Sequence, residues 1–128
     1  MTKCLQTEED LVRMCLCLLG GDEQRQLSTE ERRLVREVDT KGFAARDVDA
    51  THNAISKGKD PLGEAFSAIR SAKDRRCVGA VYTPHRIVRS MMTWLARQGT
   101  PDRIVDPGAG SGRFLLAAGA AFPEAHLI

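Results

Sequence analysis

Long hydrophobic runs are absent from this sequence of 128 residues. The apolar stretch 14–19 is only six residues long and follows Arg13. A membrane-spanning helix needs about 20 apolar residues, and the apolar core of a secretory signal takes about 7 to 15. The sequence therefore predicts neither a membrane span nor a signal peptide, and we expect a cytoplasmic protein with no membrane partner.

Zinc-ligand spacings are also absent, although the chain has four cysteines. Cys15 and Cys17 fall within a predicted helix, where residues two apart point to different faces. Cys4 and Cys77 complete no pattern of zinc ligands. We therefore predict no metal site and expect reduced thiols, as is usual inside the cell.

Strong net charge is the third absence, because the formal charge at pH 7 is only +2. The charges are uneven, however: residues 1–60 hold ten basic and twelve acidic side chains, and residues 61–128 hold nine and five. A basic rim favours contact with nucleic-acid phosphates, whereas any one of its residues alone is better explained by a solvated helix surface. Six basic residues form this rim: Arg70, Lys73, Arg75, Arg76, Arg86 and Arg89.

Residues 1–60 carry helix signals but no recognisable chemistry. The chain is 42% hydrophobic and 28% charged, which is typical of a globular protein. We predict a helical N-terminal segment over 1–60 and a second, incomplete domain over 61–128. Capping residues and periodicity predict four helical stretches. The first covers 11–19 and is ended by Gly20 and Gly21, and the second runs from a capping box at Ser28 to about Val38. The third is a short helix around 48–55 within a loop over 41–59, and the fourth covers 61–75.

The most informative segment is 106–114, which reads Asp-Pro-Gly-Ala-Gly-Ser-Gly-Arg-Phe. The run 103–105, with two β-branched residues, precedes it, and 114–118 reads as the first turns of a helix. Glycines let the backbone approach a ligand closely, and the start of a helix offers free N–H groups to an anion. A strand that leads through an acid and three alternating glycines into a helix predicts a ligand cradle.

The spacing of these glycines helps to decide the ligand. The pattern is not the Gly-x-Gly-x-x-Gly of dinucleotide folds, and no lysine follows to make a P-loop. An aspartate at the strand end would repel a pyrophosphate but could accept hydrogen bonds from an ammonium group. S-adenosylmethionine has that ammonium, and a carboxylate for the helix start. The alternative is a glycine-rich turn in any α/β protein.

A second pattern lies upstream, where Gly-Ala-Val-Tyr-Thr-Pro occupies 79–84. We predict Thr83 as the N-cap and Pro84 as the first residue of a helix that Gly99 ends. Six apolar residues of this helix recur at helical spacing and predict one apolar stripe: Ile87, Val88, Met91, Met92, Trp94 and Leu95.

The two patterns together carry a family resemblance. Gly-x-x-Tyr-Thr-Pro, an amphipathic helix and then Asp-Pro-x-x-Gly-Ser-Gly-x-Phe resembles the start of an N6-adenine DNA methyltransferase of the restriction–modification type. The match is to motif X followed by motif I, and 60–66 is similar to the lead-in to motif X. The resemblance covers about residues 57–128. It implies a Rossmann-like class I methyltransferase sheet, with the helical N-terminal segment leading into its first strands.

The resemblance also implies a cofactor and the residues that bind it. The cofactor would be S-adenosylmethionine, and DNA would be the methyl acceptor. In motif X the residues on the methionine side of the cofactor are Val81, Tyr82, Thr83 and Pro84. In motif I the residues that hold its amino acid end are Asp106, Gly108, Gly110, Ser111 and Gly112. The family more often has Ala-Cys where this chain has Gly-Ala at 108–109, a small departure.

The family's catalytic signature, Asn/Asp-Pro-Pro-Tyr/Phe, is missing. The chain has one asparagine, Asn53, which Ala54 follows, and no Pro-Pro, so we assign no catalytic residue. A second strand is predicted near the end of the sequence, and the acid that would bind the cofactor's ribose falls a few residues beyond Ile128. We interpret the chain as the N-terminal part of a larger methyltransferase, inactive alone, with a second chain as one possible source of the remainder.

Other functions are compatible with the same residues. A methyltransferase of this family could act on RNA or protein instead of DNA. The chain could also be a non-catalytic fragment that binds the other half of a split enzyme. A nucleotide-binding oxidoreductase is disfavoured by Asp106 and by the glycine spacing.

Overall fold

The computed structural model describes residues 5–23, 27–38, 42–77, 79–80 and 82–128. The chain divides into two compact units between His52 and Asn53. Over the described residues it forms seven helices and two short strands. In chain order these are α1 Glu8–Glu23, α2 Thr29–Glu37, α3 Ala45–Ser56, α4 Pro61–Ile69, α5 Ala72–Cys77, α6 His85–Ala96, β1 Arg103–Ile104, α7 Arg113–Ala121 and β2 His126–Leu127.

Helix α1 starts where side chains satisfy the free N–H groups of its first turn. Thr7 Oγ1 accepts from Asp10 N at 3.1 Å, and Asp10 Oδ2 accepts from Thr7 N at 2.9 Å. Desolvation raises the pKa of Asp10, but hydrogen bonds from Gln6 and Thr7 to its carboxylate and the charge of Arg13 outweigh this effect, so the net shift is downward. The helix continues through Gly20 and Gly21 to Glu23, so the prediction that the glycines end it was wrong.

The capping box predicted for α2 is confirmed. Ser28 Oγ accepts from Glu31 N at 3.3 Å, and Glu31 Oε2 accepts from Ser28 N at 2.7 Å. These contacts with Ser28 lower the pKa of the Glu31 carboxyl. The next helix, α3, is longer at both ends than the predicted 48–55, because local sequence marks helix ends poorly where no cap residue stands.

The predicted helix over 61–75 is two helices. Asp60 caps α4, whose first residue is Pro61, and the chain leaves the helical conformation at Arg70, with φ −95° and ψ 136°. Ser71 Oγ then accepts from Asp74 N at 3.2 Å, at the start of α5. A new N-cap at Ser71, two residues after the end of α4, thus divides the stretch in two.

Strands β1 and β2 pair in parallel, with Arg103 opposite His126 and Ile104 opposite Leu127. Helix α7 connects them, as parallel pairing requires a crossover. The structure is therefore α/β, predominantly helical with a two-stranded parallel sheet, which confirms the predicted fold class at this level.

The core of the C-terminal unit lies where α6 packs on α7. Val88 is 0% exposed and Ala118 is 1% exposed, and Phe122 and Ala117 are also buried. The predicted stripe of α6 is only partly buried: Ile87, Met91 and Trp94 are 51%, 47% and 63% exposed. They are spaced four and three residues apart, so they share a face of the helix, different from the one through Val88.

The start of α6 differs from the prediction by one residue. Pro84 is the N-cap, with φ −55° and ψ 138°, and His85 is the first helical residue. No side chain caps this helix, so the Thr83 hydroxyl does not have the predicted role.

The described residues contain neither a membrane-spanning helix nor a cluster of metal ligands. No helix in these ranges has the length and apolar character that crossing a membrane requires. Within the same ranges, no three His, Cys, Asp or Glu side chains are grouped so that they could hold a metal ion.

Candidate functional site

The loop between β1 and α7 depends on glycine at two positions. Gly110 and Gly112 have φ of +55° and +77°, a conformation that other residues rarely adopt. Gly112 N donates to Ala109 O at 2.7 Å, which closes the turn directly before α7. Both glycines are therefore explained by the path of the backbone.

Gly108 is different from the other two loop glycines. Its φ is not positive, and a Cβ atom at this position would meet nothing within 4 Å. Packing within the described residues gives no reason for a glycine here. The open space beside its backbone is available to a ligand.

Asp106 begins this loop and has one satisfied oxygen. Its Oδ1 accepts from Gly108 N at 3.1 Å, which holds the turn. Its Oδ2 is buried and has no hydrogen-bond partner in the part of the chain that the structure describes. A buried carboxylate oxygen without a donor is costly, and a cationic donor from a ligand would satisfy it.

Tyr82 and Thr83 face the glycine loop across a cavity of about 330 Å³. This volume is within the range of small-molecule sites, about 300 to 1,000 Å³. A Cβ on Gly110 would lie 3.3 Å from Tyr82 Cε1, so the loop and the tyrosine ring are close neighbours. The residues that line the cavity are Gly79, Ala80, Tyr82, Thr83, Gly108, Ala109, Gly110 and Phe114.

Asp106 borders a second cavity rather than the first. This one is about 290 Å³ and lies at the carboxyl end of β1, between α6 and α7. Phe114 lines both cavities. The residues that line the second cavity are Met92, Ile104, Val105, Asp106, Phe114, Leu115 and Ala118.

Behind the loop, Asp60 and Arg113 form a buried ion pair. Arg113 Nε lies 2.9 Å from Asp60 Oδ2, and the two side chains are 11% and 2% exposed. Ser111 Oγ donates to the same oxygen at 2.6 Å, and Gly63 N donates to Asp60 Oδ1 at 2.8 Å. Arg113 Nη1 also donates to Thr83 O at 2.8 Å. We call Asp60, Gly63, Thr83, Ser111 and Arg113 the Asp60 cluster.

These motifs identify the family when the whole sequence is compared with known proteins. A sequence model of the family described as N-6 DNA Methylase matches residues 57–126. That range includes the Asp60 cluster, both motifs and the start of β2. The chain belongs to the N-6 DNA methylase family.

A relative of this family covers nearly the whole chain. It is the Type II methyltransferase M.XamI of Xanthomonas campestris pv. amaranthicola, which is 46% identical over 132 residues. The match takes in 97% of this chain and 23% of the relative, so the chain spans about a quarter of the relative's length. No solved structure matches the chain significantly. The family predicted from motifs X and I is confirmed.

The structure brings four of the nine predicted site residues of the N-6 DNA methylase motifs to one cavity. Of motif X, Tyr82 and Thr83 line the larger cavity, while Pro84 caps α6 and Val81 lies outside the described residues. Of motif I, the residues that line the same cavity are Gly108 and Gly110.

Three motif I residues lie elsewhere around the loop. Asp106 lines the adjoining cavity, and Gly112 starts α7. The hydroxyl of Ser111 donates to Asp60, so its hydrogen is committed inside the protein.

Sequence reasoning missed Asp60 and Arg113 as parts of the site. Asp60 followed by Pro61 signals a helix start, and that signal was sufficient to predict α4. The ion pair joins residues 53 apart in sequence, and no local pattern reports such a contact.

A basic groove is lined by Lys57 and by residues of α6 and α7. It has a volume of about 570 Å³, and no acidic residue is among those that line it. Its positively charged or titratable members are Lys57, His85, Arg89 and Arg97. Such a groove can attract an anion such as a nucleic-acid phosphate.

Proposed function

We propose that this chain forms the S-adenosylmethionine-binding part of a DNA adenine-N6 methyltransferase. The observation that carries the proposal is the buried Asp106 oxygen without a partner, at the head of a glycine loop with open space beside Gly108. The ammonium group of the cofactor is a cation that would satisfy this oxygen. The family and the named activity of the relative support the same cofactor.

Each predicted site residue has a proposed role around this cofactor. Asp106 accepts from the ammonium group, and Gly108 and Gly110 let the backbone approach. The free N–H groups at the start of α7, beside Ser111 and Gly112, suit the carboxylate of the cofactor. The residues proposed for its methionine side are Val81, Tyr82, Thr83 and Pro84. When bound, S-adenosylmethionine supplies an activated methyl group.

The β1–α7–β2 unit is proposed as the first crossover of a Rossmann-like class I sheet. Two parallel strands joined by a helix are the repeating unit of such sheets. The glycine loop follows the carboxyl end of β1, which is where ligands bind in open α/β sheets.

DNA is the proposed acceptor, through a larger enzyme of the restriction–modification type. The relative is called a Type II methyltransferase, and the basic rim and basic groove suit contact with phosphates. These 128 residues contain no Asn/Asp-Pro-Pro-Tyr/Phe. We therefore propose that polypeptide outside them, in a longer form of the protein or in a second chain, grips the flipped adenine. The proposed location is the cytoplasm.

Calorimetric titration tests the proposed cofactor. S-adenosylhomocysteine, which keeps the amino acid end, should bind the chain, whereas ATP and NAD should not compete. Asp106→Ala should weaken binding by about 1–3 kcal/mol because it removes a charge-assisted hydrogen bond. The matched control is Asp102→Ala, since Asp102 is exposed and lines neither cavity. NAD binding in place of S-adenosylhomocysteine would favour the oxidoreductase alternative and refute the proposal.

A further inference from the structure

The Asp60 cluster joins three segments, and two of them, the one before α6 and the start of α7, line the proposed cofactor cavity. Asp60 lies at the start of α4, Arg113 at the start of α7, and Thr83 directly before α6. The guanidinium of Arg113 donates through Nε to Asp60 and through Nη1 to the carbonyl of Thr83. A single side chain therefore ties the glycine loop to the opposite wall of the cavity.

Tyr82 is held by the same arrangement. Arg113 Cζ lies 5.5 Å from the centre of the Tyr82 ring, which is within cation–π range. On α4, the ring of Phe66 meets the Tyr82 ring edge-on, with centres 6.0 Å apart. The tyrosine that lines the cavity thus contacts residues from both helices that the ion pair connects.

The sequence leaves room for Asp60 to take this position. Gly63 is buried, and a Cβ atom there would collide with Asp60 Oδ2 and lie 2.7 Å from Ser111 Oγ. The carboxylate is 2% exposed and accepts hydrogen bonds from Gly63, Ser111 and Arg113, so it could move aside only by breaking them. The glycine is therefore required by the cluster, although an alanine would be better for an ordinary helix.

We propose that Asp60 and Arg113 are positioning residues for the cofactor cavity. They hold Tyr82 and Thr83 at a fixed separation from the glycine loop, so that affinity for the cofactor depends on an ion pair that does not touch it. A buried ion pair is weak evidence for a role in stability, because desolvation offsets much of the attraction. The ion pair is assigned to binding because Arg113 also donates to the carbonyl of Thr83, which lines the cavity. This inference rests on the proposed function.

Two conservative variants test the pair. Asp60→Asn keeps a good N-cap for α4 but presents no charge to Arg113. Arg113→Lys keeps the charge but cannot donate to Asp60 and Thr83 together, because it lacks the planar fork of the guanidinium. Each should weaken S-adenosylhomocysteine binding by at least about fivefold, measured by calorimetry on the whole chain under conditions where circular dichroism shows it folded. The double variant should bind S-adenosylhomocysteine almost as tightly as the single variant with the lower affinity, because the two side chains act as a unit.

The N-terminal unit supplies a matched control. Asp10 and Arg13 form an ion pair of the same length, 2.9 Å, and Asp10 also accepts from backbone N–H groups at a helix start. Asp10→Asn and Arg13→Lys should leave the affinity unchanged, whatever they do to the melting temperature.

The outcomes separate this inference from the proposed function. If the unaltered chain does not bind S-adenosylhomocysteine, the proposed function fails, and the inference fails with it. If the unaltered chain binds and Asp60→Asn or Arg113→Lys binds equally well, the positioning role is wrong and the function stands. If both variants fail to fold, the pair is an element of stability and the inference is overturned.

Discussion

The three glycines of motif I are there for different physical reasons. Gly110 and Gly112 have positive φ, so a side chain at either would strain the backbone with or without a ligand. Gly108 has no positive φ, and among the described residues only its chain neighbours lie within 4 Å of a Cβ there. Substitution at Gly108 is therefore the sharper test of a ligand, whereas a substitution at Gly110 would change both binding and folding.

Gly108→Val should abolish cofactor binding while leaving the fold intact. The Cβ of the valine would lie in the open space beside the backbone, where it is 4 Å or more from every described atom outside its chain neighbours. Its effect on the free energy of unfolding should stay within about 0.5 kcal/mol, as for other open surface sites. Calorimetry with S-adenosylhomocysteine and thermal unfolding measure the two quantities.

Gly42→Val is the matched control for this substitution. Gly42 also lacks a positive φ and has open space around it, but it lies in the other unit and lines no cavity described above. Normal binding by Gly108→Val would mean that the cavity beside Gly108 is not where the cofactor lies.

At the scale of the elements, α6 has two kinds of apolar face. Val88 is fully buried where α6 packs on α7, whereas Ile87 on the neighbouring face is half-exposed. Periodicity in the sequence identified both as one stripe, because spacing alone does not show which part of an apolar face has a partner.

Val88→Ala should destabilise the chain by about 2 kcal/mol, because it removes two buried methyl groups and leaves a small cavity. Ile87→Ala removes one carbon more, but from a position that is 51% exposed, so it should cost only about 1 kcal/mol. Urea unfolding followed by circular dichroism measures both. Equal losses for the two variants would show that Ile87 is as well packed as Val88.

How much of this structure the sequence predicts depends on how far apart the interacting residues are. The Ser28 capping box, the loop from β1 to α7 and the cavity-lining Tyr82 follow from patterns a few residues long, and so they were predicted. The break after Ile69 was missed because neither glycine nor proline stands there; the chain continues with Arg70 and Ser71. The ion pair between Asp60 and Arg113 was missed because it forms only when α4 and α7 pack together.

At the scale of the whole molecule, the N-6 DNA methylase match starts at residue 57, close to where the second compact unit starts at Asn53. The cavities and the Asp60 cluster all belong to that unit. The predicted domain boundary at residue 60 stays a prediction, as do the roles of the individual site residues.

The 128-residue chain alone should not methylate DNA. It contains no base-gripping Asn/Asp-Pro-Pro-Tyr/Phe. Flipping an adenine out of the duplex costs a few kcal/mol, and contacts of this kind are needed to offset that cost. The check is transfer of labelled methyl groups to plasmid DNA, with the relative M.XamI as the positive control. Methylation of adenine by the purified chain would show that the catalytic residues lie within this sequence after all.

Photo-crosslinking with labelled S-adenosylmethionine tests the central claim, that motifs X and I of this chain bind the cofactor together. Trypsin releases peptide 77–86, which holds the proposed site residues of motif X, and peptide 104–113, which holds those of motif I. After irradiation, mass spectrometry should find the label on these two peptides, and excess S-adenosylhomocysteine should remove it from both. Label confined to peptides of the N-terminal unit, or no label that S-adenosylhomocysteine displaces, would contradict the account.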